Sequence, residues 1–322
     1  MKKSLNFLLI MGLFAGCGTI KSIGKQTSSA ILLEGSKEIE QEANWEVFRS
    51  AAIPNIKTVE GLLYADPDNL KLLGLMVKGY AGVGFGIHEV EHSEEKFKDN
   101  GEKYHQLQAI ASYTKSIEYG LIYLGLKGID SKFLFQNMLN SEALFKEMDS
   151  RLGTDDEVTV FYLAQSWGSL INLQRTDVSI LAQMPLVKNL MDWVCDKNPK
   201  IENGACSLFY GLYELSRPRM LGGDPAKGKK ILQDYMKAYP YNMLAKVTFL
   251  EFVVMKEDDK KLYRDHKTNL DKDFGEFARQ RNFGKNLNSR SAFAKHPELN
   301  LLNAIAEKKF QIIRRYDKSF YY

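Results

Sequence analysis

Cysteine is scarce in this chain, and its scarcity excludes one class of small secreted folds. The 322 residues contain three cysteines, too few for a fold held together by disulfides. Cys195 and Cys206 are eleven residues apart, about equally far from a turn that we place near Asn198 to Asn203. The two residues either form a bridge across a helical hairpin, which an oxidising compartment permits, or are two buried free thiols. The sequence leaves both alternatives open.

The chain also lacks a strong excess of charge of either sign. Its formal net charge is +4, from 44 basic and 40 acidic residues, and it falls to +2 without the first 16 residues, which contain two lysines. We therefore expect no nucleic acid as a partner. Basic residues gather late in the chain, which indicates solvated faces near an anionic partner or lipid surface. They are Arg279, Arg281, Lys285, Arg290, Lys295, Lys308, Lys309, Arg314 and Arg315.

Extended alternation of apolar and polar residues is absent, so we expect no β-sheet. Apolar residues recur instead at spacings of three and four, which is typical of helices with one buried face. The segment Met243–Met255 is apolar nearly all round, which predicts a helix packed between others. The periodic sets are Met184, Val187, Leu190, Met191 and Val194, and Gly228, Ile231, Leu232, Tyr235 and Tyr239. The sequence predicts an all-α protein.

Turn signals divide these helices into pairs. Asp66–Asn69, Asn198–Pro199 and Tyr239–Asn242 each lie between two apolar-periodic segments, with a proline that cannot extend the first helix and can start the second. Gly222–Pro225 opens a further helix, and Pro199 and Pro240 are 41 residues apart. This punctuation resembles the tetratricopeptide repeat and predicts an irregular α-solenoid of about four antiparallel hairpins. We expect one helical-repeat domain over residues 30–322, with a long loop and short helices at 269–298.

The N-terminus predicts export. Two lysines precede an apolar run that is too short to span a bilayer, so residues 1–16 are predicted to be a signal peptide. The ending Phe14-Ala15-Gly16-Cys17 resembles a bacterial lipobox, whose cysteine is acylated and becomes the new N-terminus. Residues 17–29 then form the lipidated end and a flexible tether. Gly18 is not the aspartate that commonly retains lipoproteins at the inner membrane, so we expect the periplasmic face of the outer membrane rather than the inner one.

One motif invites an enzymatic interpretation. The run His88-Glu89-Val90-Glu91-His92 fits H-E-x-x-H, whose two imidazoles share a helix face and bind zinc in metallopeptidases. The surroundings are unfavourable, because Glu102, Glu118 and His105 are all poor candidates for a third ligand. A polar helix end that leads into the charged turn Ser93–Glu102 explains the motif better, so we expect no metal and no catalytic residue.

The glycines before this motif do not form a nucleotide site. Gly79, Gly82, Gly84 and Gly86 do not match G-x-G-x-x-G, no strand precedes them, and no Gly-Lys-Ser/Thr follows. Close packing of helices explains them better, because a missing side chain lets another backbone or a ligand approach. With five histidines, three of them at 88, 92 and 105, no catalytic triad is apparent, and we expect no cofactor.

An ordered series of short motifs runs along the chain. It consists of Asp66–Asn69, Gly79-Tyr80-Ala81, Phe85-Gly86, Phe161–Leu173, Met184–Val187, Ser216–Pro218, Met220–Pro225 and Asn303-Ala304. The series resembles the T-component (TatT) family of tripartite ATP-independent periplasmic (TRAP) transporters. Two positions depart from that family, since Leu163 stands near an expected tryptophan and Gly228 replaces a common alanine.

The resemblance implies a lipid-anchored, periplasm-facing helical-repeat protein without enzymatic activity. It also implies an internal channel or cavity, a homotrimer, and work with a periplasmic solute-binding protein that delivers a small apolar or carboxylate ligand. If such a cavity exists, small and aromatic residues at helical spacing should line it. The candidates are Gly79, Tyr80, Phe85, Trp167, Gly168, Tyr210 and Tyr213. A scaffold for envelope assembly without a ligand and a zinc peptidase remain as alternatives.

Overall fold

The computed structural model describes residues 31–257, 259–281 and 292–317, and all regular structure in these ranges is helical. The predicted signal peptide, Cys17 and the tether lie outside the described residues. Residues 31–40 are helical. The helices that follow are α1 (Trp45–Ala65), α2 (Leu70–Val83), α3 (Glu89–Lys98), α4 (Tyr104–Leu126), α5 (Ser131–Gln136), α6 (Ser141–Arg151), α7 (Glu157–Leu173), α8 (Val178–Leu181), α9 (Met184–Lys197), α10 (Ile201–Ser216), α11 (Pro225–Ala238), α12 (Met243–Phe252), α13 (Lys260–Arg281) and α14 (Asn300–Tyr316).

Side-chain caps explain where many of these helices begin. A capping oxygen accepts hydrogen bonds from backbone N–H groups that have no partner inside the helix. The predicted turns at 66–69, 198–199, 222–225 and 239–242 each lie between two helices, as expected. The capping residues are Asn44, Asn69, Asp130, Asn140, Asp177, Asp224 and Asn242.

The first half of the chain is built around three mutually packed helices, α2, α4 and α7, with α1 against α2 and α9 against α7. In the second half α10 packs on α11, and α12 packs on α11 and α14. The last helix, α14, also contacts α1 and α3, so the end of the chain closes back on its beginning. The all-α prediction is confirmed for the described residues, whereas regular stacking as a solenoid stays a prediction.

The long helical segment Leu70–Lys98 contains α2, a single π-helical turn at Gly84–His88, and α3. By length and hydropathy it is the one segment among the described residues that could cross a membrane. More than half of its apolar window is buried inside the protein, and it carries Lys78. Its packing against α1, α4 and α7 makes it a core helix.

The expectation of a long loop over residues 269–298 is wrong in its first part. Helix α13 continues to Arg281, and in the part of this segment that the structure describes the expected short helical turns lie at 292–299. Buried Leu270, Phe274 and Phe277 lie three to four residues apart in α13, so one helix face packs against the core. The high density of charged residues in this segment concealed that stripe.

The glycines that precede the histidine motif are explained by close packing, as predicted, with one exception. A Cβ atom on Gly84 would lie 2.7 Å from the Tyr113 ring, and one on Gly86 would lie 2.8 Å from Ile305. Gly79 faces Ile56 at 3.0 Å, whereas Gly82 has nothing within 4 Å. Gly84 and Gly86 thus let α4 and α14 approach the π-helical turn.

The departure from the family alanine at Gly228 yields a stability prediction. A Cβ atom there would lie 2.7 Å from the carbonyl oxygen of Gly211 and 2.8 Å from Leu215. We expect Gly228→Ala to lower the free energy of unfolding by about 1–3 kcal/mol, because overpacking outweighs the better helix propensity of alanine. Urea denaturation measures the change.

Gly275 provides the matched control for this substitution. It also lies inside a helix, but a Cβ atom on it would have nothing within 4 Å. Gly275→Ala should therefore raise the free energy of unfolding by about 0.5–1 kcal/mol. Equal effects of the two substitutions would show that α10 and α11 do not require glycine at their closest approach.

Candidate functional site

The predicted cavity residues Gly79 and Tyr80 lie where α2 faces α1 and α4. The Tyr80 ring stacks on Tyr119 with 6.0 Å between ring centroids. Both hydroxyls donate to Glu60 Oε1, at 3.3 Å and 2.7 Å, and Lys57 Nζ donates to the other Glu60 oxygen at 2.5 Å. Tyr80 is therefore engaged in a polar cluster at the surface of three helices.

Two further predicted residues lie on α7. Trp167 is buried, its indole N–H donates to Gln183 Oε1 at 2.7 Å, and its ring meets Phe135 edge to face at 5.7 Å. Gly168 faces Val187 of α9 in ordinary contact. Trp167 thus belongs to the packed core, whereas Gly168 is only partly buried.

Phe85, Tyr210 and Tyr213 complete the predicted set. The described residues form two clusters of buried apolar side chains, one mainly in the first half of the chain and one in the second half. Half-buried Phe85 packs against both clusters. The Tyr210 hydroxyl donates to Asp192 at 2.7 Å, and the Arg217 guanidinium lies over the Tyr213 ring at 3.8 Å. The predicted residues thus contact several different sets of partners, and their role as cavity lining stays a prediction.

The sequence analysis missed a charged network centred on Lys78 of α2. Lys78 Nζ lies 2.7 Å from Glu40 and 3.2 Å from Glu202, and it sits over the Tyr162 ring at 5.0 Å. The Tyr162 hydroxyl donates to the second oxygen of Glu202 at 2.8 Å. The Lys78 side chain is 23% exposed, so this network is sheltered but reachable from solvent.

A second network with the same composition surrounds Lys309 of α14. Lys309 Nζ lies 3.1 Å from Glu251, and the carboxylate of Glu89 adds a second attraction. The hydroxyl of buried Tyr113 donates to Glu89. In both networks, two carboxylates attract one lysine, and a tyrosine hydroxyl donates a hydrogen bond to one of them. Burial disfavours such groups unless they are paired, so the pattern marks these places as candidates for function.

The protonation of both networks follows from burial opposed by charge. Burial lowers the pKa of Lys78, but Glu202 and Glu40 outweigh it, and the pKa lies above the ordinary value. Burial likewise opposes the charge of Lys309, yet Glu251 and Glu89 raise its pKa. Burial raises the pKa of Tyr113 and Tyr162 well above that of a free tyrosine. The lysines are therefore cationic and the tyrosines neutral near pH 7.

The two networks share the same helices. Lys78 and Glu89 lie on the continuous segment Leu70–Lys98, and Tyr162 lies two turns before Ser169, which hydrogen-bonds Tyr113. Residues seven apart share one helix face. The face of α7 that carries Tyr162 and Ser169 thus contacts both networks, Tyr162 through Glu202 and Ser169 through Tyr113. Lys78 interrupts an otherwise apolar run, a signal that could have identified it from the sequence.

The histidines of the H-E-x-x-H motif do not form a pair. His92 Nδ1 lies 3.0 Å from Glu95 Oε2, whereas His88 is buried beside His105 with 5.9 Å between ring centroids. Burial lowers the pKa of His88 to about 4, with smaller contributions from His105 and Arg49. The charged turn also starts later than expected, since α3 continues to Lys98.

A pocket of about 340 Å³ lies elsewhere, among α11, α12 and α13. The Lys246–Asp273 ion pair, with 2.6 Å between its atoms, lies in its wall. None of the seven predicted cavity residues lines it. Its lining consists of Met236, Lys246, His266, Asn269, Leu270, Lys272 and Asp273.

The described residues thus form an all-α protein of packed helices, with charged networks between the helices in which tyrosine hydroxyls donate to carboxylates. A family described as TRAP transporter T-component has a model that matches residues 41–274, which is most of the chain. The chain belongs to this family, as its motifs indicated, and is an accessory component of TRAP transport. No curated protein matches the chain. Helix α14, which supplies Lys309, and residue Glu40 lie outside the matched range.

Proposed function

We propose that this protein is a non-catalytic, lipid-anchored accessory of TRAP-type solute uptake that binds a small carboxylate ligand on the periplasmic side. It acts as a homotrimer together with a periplasmic solute-binding protein. Acylated Cys17 anchors it to the periplasmic face of the outer membrane rather than to the inner membrane. Family membership supports the transport role. The N-terminal sequence, which lies outside the described residues, supports the anchor.

The observation that carries the ligand proposal is the environment of Lys78. A cationic, largely buried ammonium group attracts a carboxylate strongly, because it is poorly screened by water. Glu202 is fixed by Tyr162, whereas the Glu40 side chain is 38% exposed and comes from the N-terminal helical segment. A ligand carboxylate takes the place of Glu40 on Lys78, and the Tyr162 ring gives the ligand an apolar surface.

Ligand binding is tested first by native mass spectrometry of the protein purified from its own periplasm. We expect a co-purifying small acid, which is then identified and titrated against the protein. Lys78→Met should weaken its binding at least about tenfold, since a charge-assisted hydrogen bond contributes about 1.5–3 kcal/mol. Glu40→Gln, which removes the competing carboxylate, should tighten binding.

Lys230→Met is the matched control, because Lys230 is 76% exposed and its ion pair with Asp234 lies on the surface. It should leave affinity unchanged. Repeated emptiness of the native protein would contradict ligand binding and favour a scaffold for envelope assembly. Capture of a ligand whose affinity does not respond to Lys78→Met or Glu40→Gln would place the site elsewhere.

A further inference from the structure

His88, Glu91 and His105 form a cluster that the proposed transport role does not use. Their nearest donor atoms all lie within 4.8 Å of one another. His88 is 8% exposed, and its Nδ1 atom has no hydrogen-bond partner among the described residues. A buried imidazole nitrogen without a partner is costly, and native structures normally avoid it.

The carboxylate of Glu91 is oriented toward the two rings. Arg49 Nε donates to Glu91 Oε1 at 2.9 Å, and Glu91 Oε2 lies 3.1 Å from His105 Nδ1. The guanidinium therefore holds one carboxylate oxygen and leaves the other facing the imidazoles. Arg49 is about half exposed, so solvent screens its charge from the cluster.

His105 is held in place through its backbone. Glu95 accepts hydrogen bonds from the backbone N–H groups of His105 and Gln106, at 2.7 Å and 3.3 Å, at the start of α4. His92 Nδ1 in turn contacts Glu95 at 3.0 Å. The second histidine of the motif thus contacts Glu95, whose carboxylate holds the His105 backbone, and does not itself join the cluster.

The π-helical turn Gly84–His88 sets the direction of His88. The Glu89 N–H donates to the carbonyl oxygen of Gly84, five residues earlier, whereas the bonds of an α-helix span four residues. Such π-turns are rare and frequently occur at functional sites. Here the turn places His88 in the cluster while Glu91, three residues later on α3, reaches the same point.

We propose that His88, Glu91 and His105 bind a divalent first-row transition metal ion, with Zn²⁺ as the best match. Two imidazole nitrogens and one carboxylate oxygen are a donor set that zinc accepts, with a water as fourth ligand. Donor atoms around a tetrahedral ion at bonds of about 2.1 Å are about 3.5 Å apart, so the side chains approach by about 1 Å on binding. The ion ties the π-helical turn and α3 to the start of α4, across the loop at 99–103.

The test titrates Zn²⁺ or Co²⁺ alone into the full chain after removal of bound metal with a chelator. We expect one ion per chain, a tetrahedral Co²⁺ absorption spectrum, and a rise in melting temperature, because an ion that binds the native state stabilises it. His105→Ala and Glu91→Gln should each weaken binding at least about 10- to 100-fold. Circular dichroism verifies that these partly exposed positions leave the fold intact.

His92→Gln is the matched control, since it removes the other histidine of the motif and keeps a donor for Glu95. It should change affinity by less than about threefold, well under the effect of losing a ligand. His296→Ala, at a partly exposed position far along the chain from the cluster, should have no effect on affinity. A loss of affinity in His92→Gln that His105→Ala does not share would assign the ion to the H-E-x-x-H pair and overturn the proposal, as would uptake that no variant alters or the absence of stoichiometric binding.

Discussion

Replacing Lys309 with methionine is expected to lower the free energy of unfolding by about 3–5 kcal/mol. Lys309 is 9% exposed, and its ammonium group lies 3.1 Å from Glu251. Without it, the carboxylate of Glu251 loses its ion-pair partner and Glu89 loses a favourable charge in a sheltered site. An uncompensated buried charge is more costly than the pair itself is stabilising. Urea denaturation followed by circular dichroism measures the loss.

The double variant Lys309→Met with Glu251→Gln separates the cost of leaving Glu251 unpaired from the cost of changing the packing. It should recover part of the loss, because the remaining amide carries no charge. The corresponding surface substitution, Lys230→Met, should cost less than about 1 kcal/mol. A loss at Lys309 no larger than at Lys230 would show that water reaches the Lys309 network freely.

The coupling between Lys309 and Glu251 should also depend on pH in a definite window. Burial raises the pKa of Glu251, but the lysines outweigh it, so its pKa lies below the ordinary 4.5. Its contribution to stability is therefore present above pH 4.5 and is lost as the pH falls through the depressed native pKa. The pKa of Lys309 is raised in the native state, so its contribution to stability is fully present below pH 10.5 and is lost as the pH rises through the native pKa. A double-mutant cycle should show full coupling between these limits.

Removing the disulfide between Cys195 and Cys206 is expected to cost about 3 kcal/mol of stability, because an 11-residue loop is freed in the unfolded chain. The structure decides the alternative that the sequence left open, since the two sulfurs are bonded and the Cα atoms lie 5.8 Å apart. The double variant Cys195→Ala, Cys206→Ala should show the loss in urea denaturation.

Reductant serves as the control for this prediction. It should destabilise the native chain by a similar amount and leave the double alanine variant unchanged. The disulfide encloses Glu202, Asn203 and Gly204, three successive residues with left-handed φ angles of 45°, 60° and 78°. For Glu202 and Asn203 this conformation costs free energy, and the crosslink and the Glu202–Lys78 contact both hold it. Unchanged stability after reduction would mean that packing alone holds the turn.

The helices themselves could be predicted well because their signals are local. Asp66–Asn69 and Tyr239–Asn242 combine a helix stop, a proline and an asparagine cap within four residues, and the structure has turns at both places. The same local reasoning failed over 269–281, because α13 buries Leu270, Phe274 and Phe277 among many charged residues. There the packing partner and not the composition decides the structure.

The polar networks could not be predicted because their members are far apart in the chain. Lys78 meets Glu202 across 124 positions, and Lys309 meets Glu251 across 58. His105 joins His88 and Glu91 only because Glu95 fixes the first turn of α4. The sequence analysis proposed small and aromatic residues as the lining of the site, because large apolar side chains at helical spacing can be recognised in a sequence. Which charged residues pair with each other cannot be recognised there.

Helix periodicity, caps and family motifs are properties of short segments, so the order of residues alone was enough to predict an all-α member of this transport family. Three features emerged only when the helices were seen packed together: α14 closes onto α1 and α3, Cys195 and Cys206 are bonded, and particular charges share a buried site. The physical reason is that burial and charge pairing depend on distances between distant segments, which are fixed only when the helices pack.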